Sequence, residues 1–210
     1  MPLTILLCIL RIHMQTISEQ TSLKINFGSS GTNKPGFINV DIRSSVRPDV
    51  IHDLNVFPYP FADNSADEIE LVHLLEHLDR PFLAMEELHR ILKPGGRLYI
   101  AVPHFSRGFT HTEHSHGFDV SFPYYFTKRF PNQFYGVEYE LASMRLNWIN
   151  HITFRYLPDF GFGKVTLFFL RSVNAFLSWL GNMSPFACSR LWCFWVGGFE
   201  EIEFHFIKPR

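Results

Sequence analysis

Apolar and polar positions change their spacing several times along this chain, and each change marks an element. LKINF (23–27) and FINVDI (37–42) are short runs of β-forming residues bounded by glycine or by polar and charged residues, the pattern of strands. DVIHDL (49–54) predicts a third strand and EIELVHLL (68–75) a fourth. The spacing then changes: in PFLAMEELHRIL (81–92), Ala84, Leu88, Ile91 and Leu92 fall on one helical face. Lys93-Pro94-Gly95-Gly96 is predicted to end that helix in a turn, from which RLYIAVP (97–103) emerges as an alternating strand. Near the C-terminus, FEEIEFHFIKP (199–209) sets Ile202, Phe204 and Phe206 against Glu201, Glu203 and His205. That alternation predicts a half-buried strand, antiparallel and at or near a sheet edge.

Strands alternating with crossovers imply parallel pairing in an α/β sheet, and ligands of such sheets sit beyond the carboxyl ends of the strands. Between the fifth strand and the last, the texture differs. HFSRGFTHTEHSHGFDVSFPYYF (104–126) is rich in histidine and aromatic residues, and VTLFFLRSVNAFLSWLG (165–181) is an apolar helix interrupted by Arg171 and Asn174. The latter is short of the roughly 20 residues a membrane span needs, so it reads as a core or interface helix, with peripheral membrane contact as the alternative.

Composition narrows the function. The 210 residues, 46% hydrophobic and 19% charged, form one ordinary globular domain. A formal charge of −1 gives no field to collect a nucleic acid. Cys8, Cys188 and Cys193 are an odd number without metal-knuckle spacing, which fits a reducing cytoplasm. The apolar N-terminal run PLTILLCIL lacks the flanks of a signal peptide. Residues 1–22 are therefore read as an extension, with Met14 as an alternative start, and 23–210 as the domain, carrying a substrate-facing insertion at about 105–190.

The loop after the first strand carries the chemistry. Gly28 lets a ligand approach the backbone, and Asp41 closes the second strand thirteen residues later. A dinucleotide site needs a G-x-G-x-x-G run and an acid about twenty residues on. Here Gly28 and Gly31 are three apart and Asp41 comes too early. An acid ending the second strand suits instead the two ribose hydroxyls of a nucleoside, because a carboxylate offers two acceptor oxygens.

With FGSSGTNKPGFINVD (27–41), IHDLNVFPYPFADNSADEIELVHLLEHL (51–78) and MEELHRILKPGGRLYIAVPH (85–104), residues 23–104 resemble a class I S-adenosylmethionine-dependent methyltransferase of the small bacterial type. The resemblance implies a Rossmann-like, mostly parallel seven-stranded sheet with an antiparallel last strand and helices on both faces. It implies S-adenosyl-L-methionine as cofactor, with Phe27, Gly28 and Ser30 bordering the methionine moiety, Asp41 and Ile42 the ribose, Asp53 and Leu54 the adenine, and His73 in contact with the cofactor. Ser30 departs from the pattern, since the family usually has its second glycine there.

Histidines cluster twice. His73, Glu76 and His77 follow the fourth strand, where His77 reads equally as a loop-bonding or a catalytic residue. His104, His111, Glu113, His114 and His116 follow the fifth. The spacing in the second cluster matches no metal-binding helix, so no metal is expected there. Methyl transfer to a neutral oxygen or nitrogen requires loss of a proton, for which His104 and His116 are the candidate bases. Phe118 to Phe126, followed by Phe130, Phe134 and Tyr135, form an acceptor pocket or a lid over it, or else pack the insertion on the sheet. The expected acceptor is a small molecule, a glycan or a lipid-linked sugar; the alternative is an inactive methyltransferase-fold binding or scaffold protein.

Overall fold

A computed structural model describes residues 22–31, 33–108, 112–129 and 134–210. The N-terminal extension up to residue 21, His111 and Phe130 lie outside the described residues. Seven strands form one sheet: β1 (Lys24–Phe27), β2 (Ile38–Asp41), β3 (Val50–Ile51), β4 (Ala66–Val72), β5 (Leu92–Pro103), β6 (Glu140–Asn147) and β7 (Glu201–Ile207). Their spatial order is β3-β2-β1-β4-β5-β7-β6. Only β7 runs against the rest, paired antiparallel with both β5 and β6. The C-terminal strand thus lies one place in from the edge, and β6, which the hydrophobic pattern left unmarked, takes the edge.

Register sorts the side chains by face. Ile25 aligns with Ile69, Ile69 with Leu98, and Leu98 with Phe206; one layer of strand positions further on, Phe27, Leu71, Ile100 and Phe204 repeat the row. All eight are essentially inaccessible to solvent, each contributing about 1.5–3 kcal/mol by burial. Helix α1 (Pro81–Ile91) closes this face with Ala84, Met85, Leu88 and Ile91, and Pro81 at its first turn costs no hydrogen bond there. Leu92, expected on the helix, instead begins β5. Residues Lys93–Gly96 then bulge out of that strand, since Ala66 pairs with Leu92 but Glu68 pairs with Arg97.

The opposite face is polar. Asn26 donates to Asn39 across β1 and β2 at 3.0 Å. Lys24 and Arg97 both meet Glu68, and Lys34 meets Glu70. The expected mostly parallel seven-stranded sheet is therefore present, but its helices are unevenly placed. Among the described residues, no α-helix lies in the crossovers β1–β2, β2–β3 or β3–β4. A helix packing there would meet asparagines and charges rather than an apolar surface.

The segment after β6 is helical, its two longest α-helices being α2 (His151–Tyr156) and α3 (Lys164–Met183). Asn174, Ser178 and Asn182, one helical turn apart, point from α3 onto the outer edge of the sheet. Asn182 accepts from Leu146 N at 2.9 Å and donates to Leu146 O at 2.7 Å; Ser178 accepts from Trp148 N and Asn174 from Ile149 N. These side chains satisfy the backbone groups of an edge strand, which otherwise invite pairing with another chain. Asn174, an interruption in the hydrophobic pattern, is thus a docking residue.

Candidate active site

The carboxyl ends of β1, β2, β3 and β4 form one rim. At the tip of β1, Gly28 has φ +70°, a left-handed conformation that calls for glycine; a Cβ there would meet the movable end of the Leu74 side chain at 2.9 Å. Two residues on, Ser30 is also left-handed, with φ +49°. Its N–H donates to Asp41 Oδ2 at 2.8 Å, which joins the loop to the acid at the end of β2. Asp41 Oδ1 accepts from Arg43 N at 2.9 Å and Arg43 Nε at 3.3 Å, while Arg43 Nη2 donates to Ser30 Oγ at 3.0 Å. Burial alone would raise the Asp41 pKa, but the backbone N–H groups of Arg43 and Ser30 and the Arg43 guanidinium hold it below the ordinary carboxylate value.

These residues fit a nucleoside-bearing cofactor. Asp41 Oδ2 has accepted one hydrogen bond and has capacity for another. The Arg43 side chain that occupies Oδ1 is more than half exposed and can swing away. Ser29 Oγ, buried in the same loop, has no hydrogen-bond partner. Ile42, next to Asp41, leaves 58% of its surface exposed, an apolar platform of the kind a purine ring covers.

Other predicted contacts change in kind. Phe27 and Leu54 are core side chains, so only their backbones can border a ligand. Asp53 Oδ1 accepts from Asn55 N in a local turn. His73 does not reach toward the glycine loop: its Nε2 lies 2.9 Å from Glu201 Oε2 and its Nδ1 3.5 Å from Glu76 Oε1. Burial would lower its pKa, but those two carboxylates raise it to about 9. Glu201 was expected on the exposed side of its strand. It is buried because the β4–β5–β7–β6 order sets it beside His73 and within 2.8 Å of Asn147 Nδ2.

The two candidate bases separate. His104 is fully buried, with Nδ1 2.7 Å from Ser106 Oγ and Nε2 2.9 Å from Ser189 Oγ. Burial pushes its pKa down to about 4, against the pull of Asp119. Both ring nitrogens are thus occupied by serine hydroxyls, and His104 joins β5 to the C-terminal insertion. His116 instead lines a cavity of about 200 Å³ with Pro81, Phe82, Phe122 and Tyr125, and a neighbouring one of about 380 Å³ with Tyr135. Its Nδ1 is buried without a hydrogen-bond partner. In the aromatic segment Phe118, Phe122 and Phe126 are buried in the core, the first two also walling the smaller cavity, while Tyr125 and Tyr135 line the cavities from more accessible positions.

Residues 35–100 match a family model described as a methyltransferase domain. No curated protein sequence matches the chain. Among solved structures, a SAM-dependent methyltransferase from Archaeoglobus fulgidus aligns over 96% of this chain and 93% of its own at 15% identity, with a TM-score of 0.50. A sarcosine dimethylglycine methyltransferase candidate from Galdieria sulphuraria aligns over 95% and 82% at 13% identity and a TM-score of 0.51. The complex of the Haloferax volcanii Trm112 methyltransferase activator with a methyltransferase candidate aligns over 91% and 84% at 14% identity and a TM-score of 0.50. At these identities the likeness is one of fold.

Proposed function

We propose, from the premise that this chain is a class I S-adenosylmethionine-dependent methyltransferase, that it methylates an oxygen or nitrogen of a lipid-linked acceptor at an anionic membrane surface. Bound S-adenosylmethionine supplies a methyl group made electrophilic by its sulfonium. Ser29, Ser30 and Asp41 hold the nucleoside end at the tips of β1 and β2, and Ile42 and the Asp53–Leu54 backbone flank its base. His116, which lines the cavities beside Pro81 and Phe82, accepts the proton the acceptor loses.

The acceptor class rests on the reversed polarity of α3. Its polar stripe faces the protein, and Val165, Phe168, Phe169, Phe176, Trp179 and Met183 face outward, with Phe168 75% exposed. Trp195, 87% exposed, extends the apolar surface. Residues 148–198 hold Arg155, Lys164, Arg171 and Arg190 against Asp159; with Arg190 paired to Asp119, the local excess is +2 in a chain of −1. Outward apolar rings with a basic surround suit the boundary of an anionic bilayer. No helix among the described residues is long and apolar enough to cross one.

The test incubates the protein with methyl-labelled cofactor and a lipid extract. The wild-type chain should label the lipid fraction, Phe168→Asp/Phe169→Asp should lose that labelling by about tenfold or more, and His116→Ala should lose about 10²–10⁴-fold in turnover with cofactor affinity unchanged. Label appearing only in water-soluble products, equally with wild type and the double variant, would overturn the acceptor class.

A further inference from the structure

We propose that Glu76, His77 and His114 form a binding site for a first-row divalent metal ion such as Zn2+, with His73 Nδ1 as a fourth donor. The two histidine clusters are separate in sequence, and no metal was expected from the second alone. The fold brings them together: Ser115 N donates to Glu76 O at 3.1 Å, laying the loop after β5 across the Leu75–His77 turn. One ligand atom from each of Glu76, His77 and His114 then lies within 4.8 Å of the others.

Glu76 points to a missing cation. It has no exposed surface, and its nearest partner, His73 Nδ1, stands at 3.5 Å, longer than an ordinary hydrogen bond. A buried carboxylate without close donors is among the costlier arrangements in a protein interior. Around Glu76 Oε1 stand His73 Nδ1 at 3.5 Å, His77 Nε2 at 3.9 Å and His114 Nε2 at 4.0 Å. In a tetrahedral site with bonds of about 2.0–2.2 Å, neighbouring donors are about 3.3–3.6 Å apart. Contractions of about half an ångström toward Glu76, and of up to about 1.5 Å between the imidazoles, would bring them to ligand distance.

Outer contacts already set the nitrogens. His77 Nδ1 lies 3.2 Å from Glu113 O, so the proton belongs on Nδ1 and the lone pair on Nε2. His73 Nε2 lies against Glu201 Oε2, itself oriented by Asn147, so an ion at Nδ1 would take the place of the proton on that nitrogen. Both rings therefore turn a nitrogen toward the centre Glu76 faces while the other nitrogen is held by an outer oxygen, as in bound metal sites. Three imidazoles and one carboxylate suit Zn2+ and similar ions rather than Mg2+ or Ca2+. The site lies two residues from His116, where an ion could orient the acceptor; that role, unlike the site itself, rests on the methyl-transfer reading.

The test measures Zn2+ uptake by the metal-stripped full chain in competition with a chromophoric chelator, with S-adenosylhomocysteine titrated into the same samples. One equivalent of Zn2+ should bind, with affinity reduced by about tenfold or more in His114→Ala, His77→Ala and Glu76→Gln, and S-adenosylhomocysteine binding should persist in each. His114→Ala, altering a loop residue, keeps the test valid should Glu76→Gln fail to fold. Absence of stoichiometric Zn2+ uptake, or full affinity in both histidine variants, would overturn the site. S-adenosylhomocysteine binding without Zn2+ would remove this inference alone, whereas the reverse would remove the methyltransferase reading alone.

Discussion

The β1–β2 rim and helix α3 use polar side chains in opposite ways. At the rim, polar groups face a space a ligand can enter: Asp41, Ser30 and Arg43 bond to one another around a carboxylate with spare acceptor capacity. In α3, polar groups are spent against the sheet edge, and the apolar face is turned outward. The first arrangement leaves acceptor capacity at the strand tips; the second docks α3 on the sheet edge and leaves an apolar outer face. The hydrophobicity of a segment therefore does not say which way it faces. What it packs against does.

His104, through Ser106 and Ser189, joins the end of β5 to the segment that follows α3, so acid should loosen that seam. Its pKa is depressed to about 4 from an ordinary 6.5, so the unfolded chain binds the proton more readily than the folded one. This contribution is fully present above pH 6.5 and is lost as pH falls through about 4. It is worth up to about 3 kcal/mol. Urea unfolding at neutral and mildly acidic pH should show this loss, and His104→Gln should flatten it; an equal slope in both proteins would detach His104 from the seam.

A smaller and more local change should follow at the rim. Asp41→Ala removes the acceptor on which the loop and the ribose converge, and should weaken S-adenosylhomocysteine binding by about 1.5–3 kcal/mol, leaving vesicle association as in wild type. Loss of vesicle association in that variant would show that the regions are not independent. The smallest effect is expected at Ser30, a left-handed residue where glycine is at ease. Ser30→Gly should stabilise the fold by about 1 kcal/mol if relief of φ strain exceeds the added chain entropy, measured by thermal unfolding. A drop in melting temperature would mean that the Arg43–Ser30 Oγ bond outweighs the strain.

The rim was legible because strand, glycine loop, strand and acid are contiguous in sequence, and the Gly28 to Asp41 spacing carries the geometry. Helix α1 and strand β7 were legible from spacing alone. Strand β6 was not, because only Leu146 in it is buried and its other side chains follow no alternation. Nor was the burial of Glu201, which follows from strand order rather than local pattern. The meeting of His114 with Glu76 and His77 is a tertiary event between segments more than thirty residues apart. His73-Leu74-Leu75-Glu76-His77 nonetheless carries an H-x-x-E-H spacing that a search for metal donors in the first cluster would have found.

The account depends most on the rim holding its cofactor without help from the outward helix. Calorimetric titration of S-adenosylhomocysteine into the unaltered chain and into Phe168→Asp/Phe169→Asp tests this directly. The account predicts one site with the same affinity in both proteins; no heat of binding to either at millimolar ligand, roughly the weakest affinity of interest, would contradict it.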